Sequence, residues 1–206
     1  MKAILAILLV CSVLLAGDFE RGIEAARNGD YQTAIKILKP LAENGNPAAQ
    51  GTLGLIYQNT KNYQEAFKWY KKVADKGYAP GQNSLAFMYG NGLGVPKDYK
   101  LALKYYTLAA KQGMPHAQYN CGLFYLEGKG TKVNYQNAFD WFTLASKSGH
   151  PGAENALGIM YMQGQGVKQD KIEAYKWFLK SAKQGNVTAQ NNLDILCKES
   201  PWACKQ

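Results

Sequence analysis

The chain alternates apolar and polar positions with the period of a helix. From residue 47 onward, small or apolar residues return four apart in recurring sets: Ala49, Leu53 and Tyr57; Gly81, Leu85 and Tyr89; Ala117, Cys121 and Tyr125; Ala153, Leu157 and Tyr161. Residues four apart share one helix face, so each set predicts an α-helix. A second pattern follows each time, an alanine with large rings three and four residues on: Ala66, Trp69 and Tyr70; Ala102, Tyr105 and Tyr106; Ala138, Trp141 and Phe142; Ala174, Trp177 and Phe178. It predicts a second helix, whose alanine lets the first approach closely. The fixed spacing of Trp69, Trp141 and Trp177 after that alanine marks them as core rather than as a sugar-binding platform. Lysine and then glycine end every second helix, at Gly77, Gly113, Gly149 and Gly185. Glycine takes the left-handed backbone that stops a helix, and lysine suits the negative end of its dipole. Pro47, Pro115 and Pro151 open the following helix, where a missing N–H is harmless.

Laid over itself, the chain shows three tandem blocks of 36 residues, 79–114, 115–150 and 151–186. Residues 47–78 hold the same landmarks in 32 residues, residues 18–46 form an earlier, shorter copy, and a capping helix and tail at 187–206 close the array. A glycine loop joins the helices of each long block, as Gly92-Leu93-Gly94-Val95, Gly128-Lys129-Gly130-Thr131 and Gly164-Gln165-Gly166-Val167, whereas the short block omits it. A period in this range predicts an all-α, right-handed α-solenoid of antiparallel helix pairs. The glycine loop lacks the spacing of a phosphate-binding or dinucleotide-binding motif, and no strand precedes it, so it reads as a spacer.

The wording "AQYNCGLFYLEGKG…NAFDWFTLASKSG" and "AENALGIMYMQGQGV…EAYKWFLKSAKQG" resembles the Sel-1-like repeat, a longer-looped relative of the tetratricopeptide repeat. The resemblance implies an adaptor that binds proteins. Cysteine-rich members of that family are associated with β-lactam binding and weak hydrolysis, which makes a β-lactamase-like enzyme one alternative and a cell-wall or polysaccharide binder another. Those members carry a cysteine pair in each repeat. Here the repeats have none, Cys121 sits at a leucine position, and the S-x-x-K signature is missing.

Composition narrows the compartment. Residues 1–17 read as a cleaved signal peptide: Lys2, an apolar run from Ala3 to Ala16 too short to span a bilayer, and small residues for cleavage near Ala16 or Gly17. Val10 before Cys11 spoils a lipid-attachment site. The expected location is periplasmic or secreted, with no stable membrane span after cleavage. In an oxidising compartment the close pair Cys197 and Cys204 is expected to form a disulfide that staples a C-terminal cap, leaving Cys121 as a buried thiol. The net charge of +9 is carried by scattered lysines, the longest run being Lys71-Lys72, which reads as a solvated surface and not as a nucleic-acid stripe.

No catalytic constellation, metal set or cofactor motif emerges. His116 and His150 lie beside the prolines that open successive repeats; facing each other across a repeat boundary they could share a metal, but no cysteine or carboxylate cluster completes four ligands, so they are expected as exposed turn residues. The candidate site is instead a face. Stacked pairs are expected to curve and present a concave surface lined by their first helices. Positions opposite the predicted core face give a mixed apolar and amide row for a protein or peptide partner: Gln58, Asn83, Phe87, Tyr119, Leu123, Leu126, Asn155, Met162 and Asn191. Leu55, Phe87, Leu123, Ile159 and Ile195 occupy one repeat position, so that column equally fits packing between repeats.

Overall fold

A computed structural model describes residues 17–205, so the expected signal segment up to Ala16, Cys11 included, lies outside the described residues. The helices are α1 (residues 17–27), α2 (Tyr31–Glu43), α3 (Pro47–Asn59), α4 (Tyr63–Asp75), α5 (Ala79–Asn91), α6 (Tyr99–Lys111), α7 (Pro115–Glu127), α8 (Tyr135–Lys147), α9 (Pro151–Gln163), α10 (Lys171–Ala182) and α11 (Val187–Glu199). A short 3-10 turn, η1 (Pro201–Cys204), ends the described chain, which contains no strand. The fold class is the all-α solenoid of helix pairs. It divides at Lys97 and Asp98 into two compact units, one holding α1 to α5 and the other α6 to η1. Within each, successive helices pack in order, α2 on α3 on α4 on α5, and α6 through α11.

Local chemistry starts each helix. Asp30, Asn62, Asp98, Asn134 and Asp170 precede the second helices, and each side chain accepts a hydrogen bond from a first-turn backbone N–H. A cap of this kind contributes about 1 kcal/mol. First helices also tie down the helix before them: the Gln50 amide donates to the Ala42 carbonyl at 2.9 Å and the Gln118 amide to the Ala110 carbonyl at 3.2 Å. These bonds give the last-turn carbonyls a second donor beside the backbone N–H groups of Gly45 and Gly113.

Pairing depends on missing side chains. A Cβ on Gly54, Gly122 or Gly158 would lie 2.5, 2.4 or 2.5 Å from a ring carbon of Tyr70, Phe142 or Phe178. Those rings therefore lie directly on the partner backbone, beside the fully buried Ala66, Ala138 and Ala174. Leu38, Leu53, Leu85, Leu157 and Leu196 fill the remaining core. Each such leucine contributes roughly 2 kcal/mol of transfer free energy.

The glycine loops join the architecture at a second level. Gly92, Gly128 and Gly164 stop α5, α7 and α9 with left-handed φ of 70°, 69° and 72°. Two residues later, Gly94, Gly130 and Gly166 lie on the start of the preceding second helix. A Cβ there would fall 2.3 to 2.4 Å from the carbonyl oxygens of Tyr63, Tyr99 and Tyr135. The α3–α4 turn has no such loop, and Lys61 makes it with φ 59°.

The C-terminus is stapled. Cys197 on α11 and Cys204 on η1 form a disulfide with a Cα–Cα distance of 5.6 Å. Lys171 Nζ donates to Ser200 Oγ at 2.8 Å, fastening the tail to the start of α10.

Candidate functional site

In the first unit, the predicted face is open. Phe87 is 40% exposed and its column neighbour Leu55 50% exposed. Gln58 is half-buried, and its Oε1 accepts from the Tyr70 hydroxyl at 3.0 Å. Burial pushes the Tyr70 phenol up to about 12, so it keeps the proton it donates. Asn83 is half-buried with its side-chain oxygen inside and unpartnered.

Between α3 and α5, over α4, lies an open-mouthed pocket of about 470 Å³. Gly51 and Leu55 of α3, Val73 and Tyr70 of α4, and Tyr78 and Ser84 at the start of α5 line it. A Cβ added at Gly51 would meet nothing within 4 Å, so this glycine faces open space, unlike Gly54 one turn on. Sequence reasoning reaches Leu55 but misses Tyr78, Val73 and Ser84. The signal available was register: Tyr78 occupies the position held by Met114, His150 and Asn186 in later repeats.

In the second unit, several residues of the row are engaged in packing. Tyr119 stacks on the His150 ring, with centroids 4.6 Å apart, and stands 5.7 Å from Phe142. Leu123 and Leu126 pack against the cluster of Ala138, Phe142, Leu157 and Met160. Met162 and Ile159 pack against Phe178, Leu193 and Leu196. Asn155 accepts from Asn192 at 2.9 Å, joining α9 to α11. Asn191 remains exposed, as does Ile195 at 51%. The column is thus open at Leu55, Phe87 and Ile195 and used for packing at Leu123 and Ile159.

One of the two histidines differs from the expected exposed turn residues. His116 is exposed, but His150 is half-buried and caps α9, its Nδ1 accepting from the Ala153 N–H at 3.2 Å. Accepting there leaves the proton on Nε2, which faces His116 Nδ1 at 3.1 Å. Burial, and then the His116 ring, holds the His150 imidazole below its ordinary value. The cause of the difference is the cap, a task that Asn46 and Asn186 perform for α3 and α11.

Among the described residues, no group of three or more His, Cys, Asp or Glu side chains could hold a metal ion, and no helix is long and apolar enough to cross a membrane. Cys121 is fully buried, with its thiol 3.8 Å from the Thr107 hydroxyl and pushed up to about 12 by burial, which makes it a poor nucleophile. Glu154 is fully buried, its Oε1 in an ion pair with Lys180 Nζ at 2.9 Å and its Oε2 accepting from the Gln184 amide at 2.5 Å.

The model of the Sel1 repeat matches residues 50–78, 79–114, 115–150 and 151–186. Among solved structures, a protective antigen of uropathogenic Escherichia coli displaying an SLR fold is 37% identical, with a TM-score of 0.78 over 80% of this chain and 36% of its own. The present chain thus spans about a third of that protein's length. A Sel1 repeat protein from Oxalobacter formigenes is 34% identical, with a TM-score of 0.79 over 85% of this chain and 73% of its own. Helicobacter pylori cysteine rich protein B, 23% identical with a TM-score of 0.51 over 64% of this chain and 95% of its own, shares the fold. No curated protein matches the chain.

Proposed function

The chain belongs to the Sel1 repeat family, whose members generally mediate protein–protein interaction, and on that premise we propose that it is an exported scaffold holding a protein or peptide partner on its first-helix faces. The observation that carries this reading is the open face of the first unit. Leu55 and Tyr78, which line a pocket that the fold does not fill, and Phe87 further along the same row leave 40 to 50% of their surface in water. Apolar side chains grouped around a concavity mark interaction sites more often than isolated exposed ones do.

Export is supported by the apolar run from Ala3 to Ala16 and by the Cys197–Cys204 disulfide, a bond that persists in oxidising compartments. Fractionation with N-terminal sequencing tests this, a mature chain beginning near Asp18 in the envelope or medium being expected. The scaffold reading is tested by affinity capture from that compartment with wild type and a Leu55→Glu, Phe87→Glu double variant. Both substituted positions are exposed, so helical circular dichroism is expected to stay unchanged while the captured partner is lost. A partner retained by the variant would move the face elsewhere.

A further inference from the structure

The first-unit pocket has a counterpart in the second unit, and there the chain itself supplies an occupant. Positions 51 and 119 are equivalent in their repeats, as are 70 and 142, 78 and 150, and 80 and 152. In the second unit the Tyr119 ring stacks on His150, stands beside Phe142 and lies over Gly152, where a Cβ would meet ring carbons at 3.1 and 3.2 Å. In the first unit the walls are present as Tyr70 and Tyr78, but Gly51 stands where the filling tyrosine would be attached.

We infer that this pocket takes an aromatic side chain presented by the partner, which seats between Tyr78 and Tyr70 as Tyr119 seats between His150 and Phe142. The inference rests on the scaffold reading and names what that scaffold grips. Three features favour a ring over another group. None of the lining side chains is charged, which disfavours an ionic ligand. Tyr70 and Tyr78 offer ring surfaces, and aromatic pairs gain attraction beyond the area they bury. Gly51 leaves its backbone bare, and Pro80, at the position of Gly152 under Tyr119, adds an apolar ring to the wall. Size agrees too: a cavity of ~150 Å³ accepts benzene, and about 470 Å³ leaves room for the flanking chain of a bound peptide.

The test uses three small probes on the signal-processed protein: N-acetyltyrosinamide, N-acetylphenylalaninamide and N-acetylleucinamide, titrated by amide-resolved nuclear magnetic resonance. Both aromatic probes are expected to bind saturably with dissociation constants on the order of 1 mM, as suits ligands of this size. They should shift Gly51, Thr52, Tyr78 and Ser84 and leave Tyr119 and His150 unmoved, while the leucine probe binds at least about fivefold more weakly. Gly51→Tyr fills the slot from within and should abolish binding. Tyr78→Ala, at an exposed cap, keeps the fold and should weaken the aromatic probes more than the leucine probe. Equal binding of all three probes, or aromatic binding that survives in Gly51→Tyr, overturns the inference, as does an absence of saturable shifts near Gly51. In each of those cases partner capture by wild type and its loss in Leu55→Glu, Phe87→Glu would still uphold the scaffold, so the two readings fail separately.

Discussion

The same slot occurs in both units, empty between α3 and α5 and filled between α7 and α9. The ring below is alike, Tyr70 in one and Phe142 in the other, and so is the glycine that admits it, Gly54 or Gly122. Among the positions that differ, Pro80 for Gly152 included, two side chains set the contrast. Tyr119 and His150 stack and close the second slot, and Gly51 and Tyr78 leave the first open. A solenoid position is therefore not by nature core or groove. Whether its own chain fills the space decides, and a single residue can change the answer.

The largest disturbance of this contrast should come from emptying the filled slot. Tyr119→Gly removes a half-buried ring and adds helical backbone entropy, and is expected to cost about 3 kcal/mol in urea unfolding. It should also let N-acetyltyrosinamide perturb His150 and Ala153, which wild type does not allow. Gly122→Ala keeps Tyr119 but drives a Cβ to 2.4 Å from Phe142, tightening the base of the slot. Overpacking of this kind costs about 1–3 kcal/mol, read as a lower denaturant midpoint at constant slope. The same change at Gly51 should have the opposite sign, because the added methyl enters open space and the helix loses a glycine. A gain of about 0.5–1 kcal/mol is expected. A loss there would mean that the first slot is less open than its geometry indicates.

The smallest effect is one of pH. His150 has a depressed value in the fold, below the ordinary 6.5, so between the two values the unfolded chain takes up a proton that the folded chain refuses. Its stabilising contribution is complete above pH 6.5 and is lost as pH falls through the depressed folded value. Partial exposure screens it to below ~0.5 kcal/mol. Thermal melts from pH 7.5 to 5 should show a shallow decline that His150→Asn removes, since asparagine caps the equivalent helices α3 and α11.

Most of the fold was legible because its determinants are local and periodic. The alanine-and-ring pattern, the residues that begin each helix and the glycines that end it lie within a few positions of what they control, so a repeat of 36 residues displays them again and again. The site was legible only in outline. Gln58, Asn83 and Phe87 fall on the open face of the first unit, and the same register rule brought in Tyr119, Leu123, Leu126 and Met162, which the second unit uses for packing. Helical period assigns a direction, but what meets a side chain there depends on a residue in the next repeat. Gly51 shows its meaning only when read with Tyr78, and Tyr119 only with His150. The cap made by His150 was missed for the same reason, since it follows from an accepting nitrogen placed over Ala153.

The glycine loops bear on how the protein comes to be made. Gly94, Gly130 and Gly166 each rest on backbone belonging to the helix pair translated just before their own. A pair leaving the ribosome would thus find its docking surface already folded, and none of these loops has to wait for residues still inside the exit tunnel. Direction of synthesis and direction of docking coincide.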